Sequence, residues 1–210
     1  MRYIYLHGFA SSPSSRKARA FERAFSERTV PLEIPQLDGG DFEHLTLTGQ
    51  LKIVEKLLNG DPACLLGSSM GGYLASLYSA KHPEVRRLVL LAPAFGLSGR
   101  WEDLVGKQEL GKWRRTGQFR LFHYGDQVER TLNSAIVEDS LAWPDFPDAT
   151  QPTLIFHGVD DTVVPAHLSR SFAASRPNVT LQEMPSDHEL LNVLDEVVAA
   201  AVPFILAASK

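Results

Sequence analysis

A regular alternation limits this chain's architecture more than any other feature. Short apolar runs rich in β-branched and aromatic residues are separated by longer segments with helical periodicity. Apolar runs of this kind suit strands buried on both faces, and the amphipathic stretches between them suit helices that cover a parallel sheet. The pattern predicts strands near residues 2–7, 30–34, 63–67, 87–92, 153–157 and 179–184. It predicts helices near 15–27, 46–59, 70–81, 166–175 and 189–206, with Gly, Pro and Asn marking the breaks. The expected fold class is therefore α/β: one domain over residues 1–210, with a mostly parallel sheet of about six strands flanked by helices. At 210 residues, 44% of them hydrophobic, the chain is long enough to bury one such core.

One stretch breaks the rhythm. From Leu97 to Gln151 no clear strand is visible, yet Trp101, Trp113, Phe119, Phe122, Tyr124, Trp143 and Phe146 all fall there. Residues 97–151 read as a small helical, cap-like insertion. Its aromatic residues are expected mainly to pack it onto the body, and the alternative use for some of them is to line a substrate pocket. The serines between Ser11 and Ser15 read as a turn that caps the first helix.

A net charge of -4 and a pI near 6.0 leave no broad basic surface, which makes nucleic acid a poor partner and favours small neutral or mildly charged ligands. Cys64 is the only cysteine, so no intramolecular disulfide can form; its neighbours Ala63, Leu65 and Leu66 suggest a buried thiol. The apolar start of the chain is too short for a signal peptide. The run Val197–Ala208 falls short of the ~18 residues that span a bilayer and contains Pro203. The expectation is a cytoplasmic protein without membrane attachment. No H-E-x-x-H or comparable ligand cluster is present, so metal catalysis is not expected.

Chemistry enters at Gly67-Ser68-Ser69-Met70-Gly71, which satisfies G-x-S-x-G. In α/β-hydrolases this pattern forms a sharp strand-to-helix turn that presents the serine hydroxyl above the sheet edge. The flanks agree, because Ala63 to Leu66 is an apolar run and Tyr73 to Ala80 is an apolar-rich helical segment. Ser69 is the candidate nucleophile; Ser68 would lie on the strand side of the turn.

Free serine is a weak nucleophile near neutral pH and needs a base, for which histidine is suited by its pKa. Seven histidines compete. Ligand crevices in open α/β sheets lie beyond the carboxyl ends of the strands. His188 fits, since it follows the run Val179–Met184 by a short polar turn. His44, His82, His123 and His167 fall in helices or the insertion, and His7 and His157, each followed by glycine, read as structural. The acid that orients the base is expected in the turn after strand 153–157, where Asp160 and Asp161 are equally placed. Asp187, adjacent to His188, would have to bend back on it. Backbone N–H groups of Met70 and Phe9 are the candidate oxyanion donors.

Tyr5-Leu6-His7-Gly8-Phe9, with Ser11-Ser12-Pro13 and Lys17-Ala18, resembles the opening of the small bacterial YqiA-like esterases of the α/β-hydrolase superfamily. The elbow Gly67–Gly72 resembles theirs, as do His157-Gly158-Val159-Asp160-Asp161 and Ser186-Asp187-His188-Glu189. The resemblance implies that Asp161, at the fifth position of H-G-x-x-D, is the acid. It also implies a compact enzyme acting on short acyl esters without a cofactor.

The expected function is a serine hydrolase with a Ser69-Asp161-His188 triad, cleaving carboxylic esters through an acyl-enzyme. A thioesterase or other acyl hydrolase could use the same residues, because fold and triad do not fix the leaving group. A catalytically silent hydrolase fold acting as a binding protein is the alternative from another class. The basic run Lys112-Trp113-Arg114-Arg115, with Arg120 beyond it, is either a solvated face or a recruiting site for an acidic thioester.

Overall fold

The structure is a computed structural model and describes residues 1–209. Five strands form its central sheet: β1 (Arg2–Leu6), β2 (Ala63–Ser68), β3 (Val85–Leu91), β6 (Thr153–Gly158) and β7 (Val179–Met184). They lie in the order β1-β2-β3-β6-β7, and every neighbouring pair is parallel. β2 and β6 are buried along their whole length, around the apolar runs Ala63–Leu66 and Leu154–Phe156.

Alternate residues of each strand serve opposite faces. On one face Ile4, Leu65, Leu88, Leu90 and Ile155 pack beneath α2 (Leu47–Leu58) and α3 (Met70–Ser79). On the other, Tyr3, Tyr5, Leu66, Val89 and Phe156 meet α1 (Arg16–Ser26) and α8 (Leu194–Leu206). Phe21 and Phe25, one turn apart on α1, set their rings against Tyr5 and Tyr3 at 5.6 and 5.4 Å. The Ser15 hydroxyl caps α1 by accepting from the Ala18 N–H, as the serine-rich turn suggests.

Three expectations need correction. The stretch 30–34 is not a sixth strand: it runs beside β1 but forms only an isolated parallel bridge, Ile4 to Glu33. Pro31 and Pro35 flank that bridge and lack the N–H groups needed to continue a ladder. Nor is the segment between β3 and β6 purely helical. It contains α4 (Trp101–Val105), α5 (Lys107–Thr116), an antiparallel hairpin of β4 (Gln118–His123) and β5 (Val128–Asn133), and α6 (Ala135–Ser140). The hairpin strands mix exposed with partly or fully buried residues and place only isolated apolar side chains such as Phe119, Leu121 and Leu132 inward, so they carry no long apolar run for a reader of the sequence to find. Trp101 and Trp113 pack edge to face at 5.6 Å, and their indole N–H groups donate to Ser140 Oγ and the Leu132 carbonyl. The final helix also starts later than expected, after a 3-10 turn at Leu191–Val193. α7 (Ala166–Ala174) joins β6 to β7. Among the described residues no helix is long and apolar enough to cross a membrane. Cys64 is buried and unbridged, and burial pushes its thiol up to about 11.

Candidate active site

Ser69 occupies the junction of β2 and α3 with φ 52° and ψ -119°, a backbone conformation that side-chain-bearing residues rarely adopt. The flanking glycines make the turn possible. A Cβ on Gly67 would sit 2.3 Å from the Gly71 carbonyl oxygen, and one on Gly71 would sit 2.1 Å from the Leu6 carbonyl oxygen. The conformation is held from both sides: the Ser69 N–H donates to the Leu91 carbonyl at 2.8 Å, and its carbonyl accepts from the Ala94 N–H at 3.0 Å.

The structure brings Ser69, His188 and Asp161 into one hydrogen-bonded line. His188 Nε2 lies 3.0 Å from Ser69 Oγ, and its Nδ1 lies 2.7 Å from Asp161 Oδ2. A carboxylate can only accept, so the ring proton belongs on Nδ1, leaving Nε2 free to accept the serine proton. His188 reaches this position because β6 and the loop after β7 approach closely at Gly158, where a Cβ would stand 2.3 Å from the carbonyl oxygens of both Ser186 and Asp187. The loop is braced by Ser186 Oγ donating to Asn192 Oδ1 and by Asn192 Nδ2 donating to the Pro185 carbonyl at 2.9 Å. Lys17, nearly buried on α1, adds an ion pair to Glu189 at 3.3 Å.

Asp161 is enclosed, its side chain fully removed from solvent. Oδ1 accepts from the N–H groups of Val163 and Val164 at 2.8 and 2.7 Å, while Oδ2 faces His188. Burial alone would raise its pKa. Contacts from His157 and His188, the charge of His188 and the Val164 N–H outweigh burial and hold the carboxyl well below the usual range. Asp160 points away: it is exposed, and its side chain makes no hydrogen bond or ion pair among the described residues. Asp187 is exposed and accepts from the Glu189 N–H, closing its own turn.

Phe9 and Met70 line the same cavity as Ser69 and His188. Met70 opens α3, so its N–H has no acceptor within the helix, and the Phe9 N–H donates to no other group among the described residues. The cavity measures about 870 Å³. Leu97, Trp101, Leu104 and Val163 supply apolar surface, and Ser12, Ser15, Arg16 and Gln127 supply polar surface. Of the aromatic residues singled out in 97–151, Trp101 and Tyr124 line this space. The basic run does not. Lys112, Arg114 and Arg120 are exposed and paired with Glu109, Glu138 and Glu129.

Five of the six remaining histidines have other partners, and the sixth, His167, is exposed on α7 with no side-chain partner among the described residues. His44 pairs with Asp41, His82 with Glu84, and buried His123 accepts from the Asp126 N–H. His7 accepts from Leu37 N at 3.5 Å, its Nδ1 lies 3.0 Å from the Gly8 carbonyl, and burial lowers its pKa. His157 is the residue that sequence reasoning undervalued, since its Nε2 comes within 3.1 Å of Asp161 Oδ2. The available signal was the four-residue spacing between the two across a tight turn.

Solved structures with the same fold cover nearly the whole chain. Est1E from Butyrivibrio proteoclasticus with bound ferulic acid is 23% identical, matching 99% of this chain and 89% of its own with a TM-score of 0.82. Mouse alpha/beta hydrolase domain-containing protein 10 is 20% identical over 97% of this chain and 88% of its own, with a TM-score of 0.79. A monoacylglycerol lipase from Paleococcus ferrophilus is 16% identical over 98% and 94%, also at 0.79. These likenesses place the chain in the α/β-hydrolase fold. The model of the uncharacterised protein family UPF0227, which is the YqiA-like family, matches residues 2–205, and the chain belongs to that family.

Proposed function

We propose that this protein is a serine hydrolase that cleaves carboxylic esters of short acyl chains through an acyl-enzyme on Ser69. The observation that carries the reading is the continuous line Ser69 Oγ, His188 Nε2, His188 Nδ1 and Asp161 Oδ2, with spacings of 3.0 and 2.7 Å. His188 accepts the Ser69 proton as the hydroxyl attacks the ester carbonyl, then donates it to the departing alcohol. Asp161 holds the imidazole in the required tautomer and stabilises the imidazolium. The N–H groups of Phe9 and Met70 take the negative charge that develops on the carbonyl oxygen, a contribution of roughly 10²–10³ per donor in such sites. A water activated by the same histidine then releases the acid.

The segment 97–151 acts as a cap whose Leu97, Trp101 and Leu104 line the cavity beside the nucleophile. The cavity exceeds what a short acyl group fills, leaving the rest for the alcohol portion. The test is labelling with a fluorophosphonate probe together with hydrolysis of p-nitrophenyl acetate, butyrate and octanoate and of acyl-CoA thioesters. Labelling that disappears in Ser69→Ala, with hydrolysis of the short esters, is the expected result. An unlabelled wild-type protein that leaves every substrate intact would overturn the proposal and favour a binding role.

A further inference from the structure

We infer that His157 is a positioning residue for Asp161, a second imidazole that orients the acid without sharing its charge. This inference rests on the serine-hydrolase reading. Asp161 Oδ1 is satisfied by two backbone donors, but Oδ2 sees no water and has only imidazole edges within reach: His188 Nδ1 at 2.7 Å and His157 Nε2 at 3.1 Å. His157 itself is fully buried, at the carboxyl end of β6.

The protonation of His157 follows from its neighbours. Its Nε2 has two acceptors in range, the Val164 carbonyl at 2.8 Å and Asp161 Oδ2 at 3.1 Å, so the proton resides on Nε2. Its Nδ1 lies 2.7 Å from Ser169 Oγ on α7. That buried hydroxyl has no other partner among the described residues, so it donates to Nδ1 and keeps the ring neutral. The charged groups facing the ring are Asp161 and, through the field across β7, Glu183. A cationic ring here would compete with His188 for the charge of Asp161; a neutral donor does not.

His157 also acts through Val164. The Val164 carbonyl accepts from His157 while the Val164 N–H donates to Asp161 Oδ1 at 2.7 Å, so one residue of the turn is held at both ends. Loss of the imidazole would release the turn and one side of the carboxylate together.

Two amides separate this role from a merely structural one. The nitrogen of His157→Gln reaches the place of Nε2, whereas that of His157→Asn reaches only the place of Nδ1. We measure kcat and KM for p-nitrophenyl butyrate across pH, with thermal melting to establish folding. His157→Asn should lose about 10- to 100-fold in kcat with KM nearly unchanged, the range seen when the partner of a ligand-orienting group is lost. Its kcat–pH profile should change on the acidic side relative to wild type, because the carboxylate that faces the catalytic imidazole has one donor fewer. His157→Gln should keep most of the wild-type kcat and its pH profile. Asn performing as well as Gln, or neither variant changing kcat, overturns the inference even though wild-type Ser69 is labelled by fluorophosphonate. A wild-type protein that is neither labelled nor active overturns the hydrolase reading and this inference with it.

Discussion

Replacing Gly158 with alanine should disable the site without touching any group that performs chemistry. Gly158 has an ordinary negative φ, so alanine is tolerated by its own backbone; the obstacle is the space its methyl group would enter. That carbon would lie 2.3 Å from two carbonyl oxygens, Ser186 and Asp187. Real contacts of this kind begin at 3.0–3.4 Å, so the loop must retreat by about 0.7–1.1 Å. The Ser186 carbonyl also accepts from the Asp160 N–H at 3.0 Å, and losing that bond costs about 1 kcal/mol. His188 sits one residue past this contact, and the same displacement carries its Nε2 from 3.0 Å to about 4 Å from Ser69 Oγ, beyond hydrogen-bond reach. A misplacement of about 1 Å at a reacting group costs on the order of 10²-fold in rate. The assay is kcat/KM on p-nitrophenyl butyrate, with the rate of fluorophosphonate labelling and the melting temperature measured in parallel. Both rates should fall about a hundredfold in a protein that still melts cooperatively. Activity within twofold of wild type would refute the claim that this close approach sets the position of His188.

Three further outcomes are expected. Asp161→Asn should lower kcat by up to ~10⁴-fold, as loss of the orienting acid does in other triads, while Asp160→Asn leaves it within about twofold; the reverse ranking would identify Asp160 as the acid. Because the Asp161 pKa is lowered on folding, its ionised form stabilises the protein fully above the unfolded value of about 4, and the benefit is lost as pH falls through the lower folded value. The melting temperature of Asp161→Asn should therefore drop less than that of wild type between about pH 6 and pH 3, and parallel curves would contradict the sign of that shift. At the elbow, Ser69→Gly should be more stable than Ser69→Ala by about 1 kcal/mol, since only glycine relieves the positive φ; equal denaturant midpoints would show that the turn stores no strain.

What could be read in advance follows from where information lies in a chain of this type. Strands buried on both faces announce themselves, so β1, β2, β3 and β6 stand where their apolar runs lie, and the half-exposed edge strand β7 shows instead by its alternation of Val179, Leu181 and polar residues. The hairpin β4–β5 is hidden because its strands pair only with each other and keep half of their side chains exposed, which breaks up any apolar run. Residues 30–34 have strand-like composition, but the adjacent prolines stop the ladder at one bridge. Among site residues, the elbow is legible because its glycines, demanded by the elbow's own backbone at Gly67 and by Leu6 at Gly71, both fall two residues from Ser69 in one short stretch. Asp160 and Asp161 are indistinguishable by position; only the direction each takes out of the turn separates them, and that depends on where Val163, Val164 and His157 place their donors. The contact between His157 and Asp161 is a property of that folded turn rather than of either residue.

β3 and β6 are hydrogen-bonded neighbours in the sheet, although residues 92–152 intervene between them in the chain. A path that leaves one strand and returns to the adjacent one is a closed detour: its ends are anchored by the ladder whatever its length. The entropic cost of such a loop grows only with the logarithm of its size, about 0.6 kcal/mol per doubling. Lengthening, trimming or exchanging this detour therefore makes little demand on the scaffold that carries Ser69, Asp161 and His188. An engineer who kept Ala94, whose N–H holds the Ser69 carbonyl, and Phe95, which stacks on Phe172, could exchange the segment beyond them and alter what reaches Ser69 while leaving the underlying sheet intact.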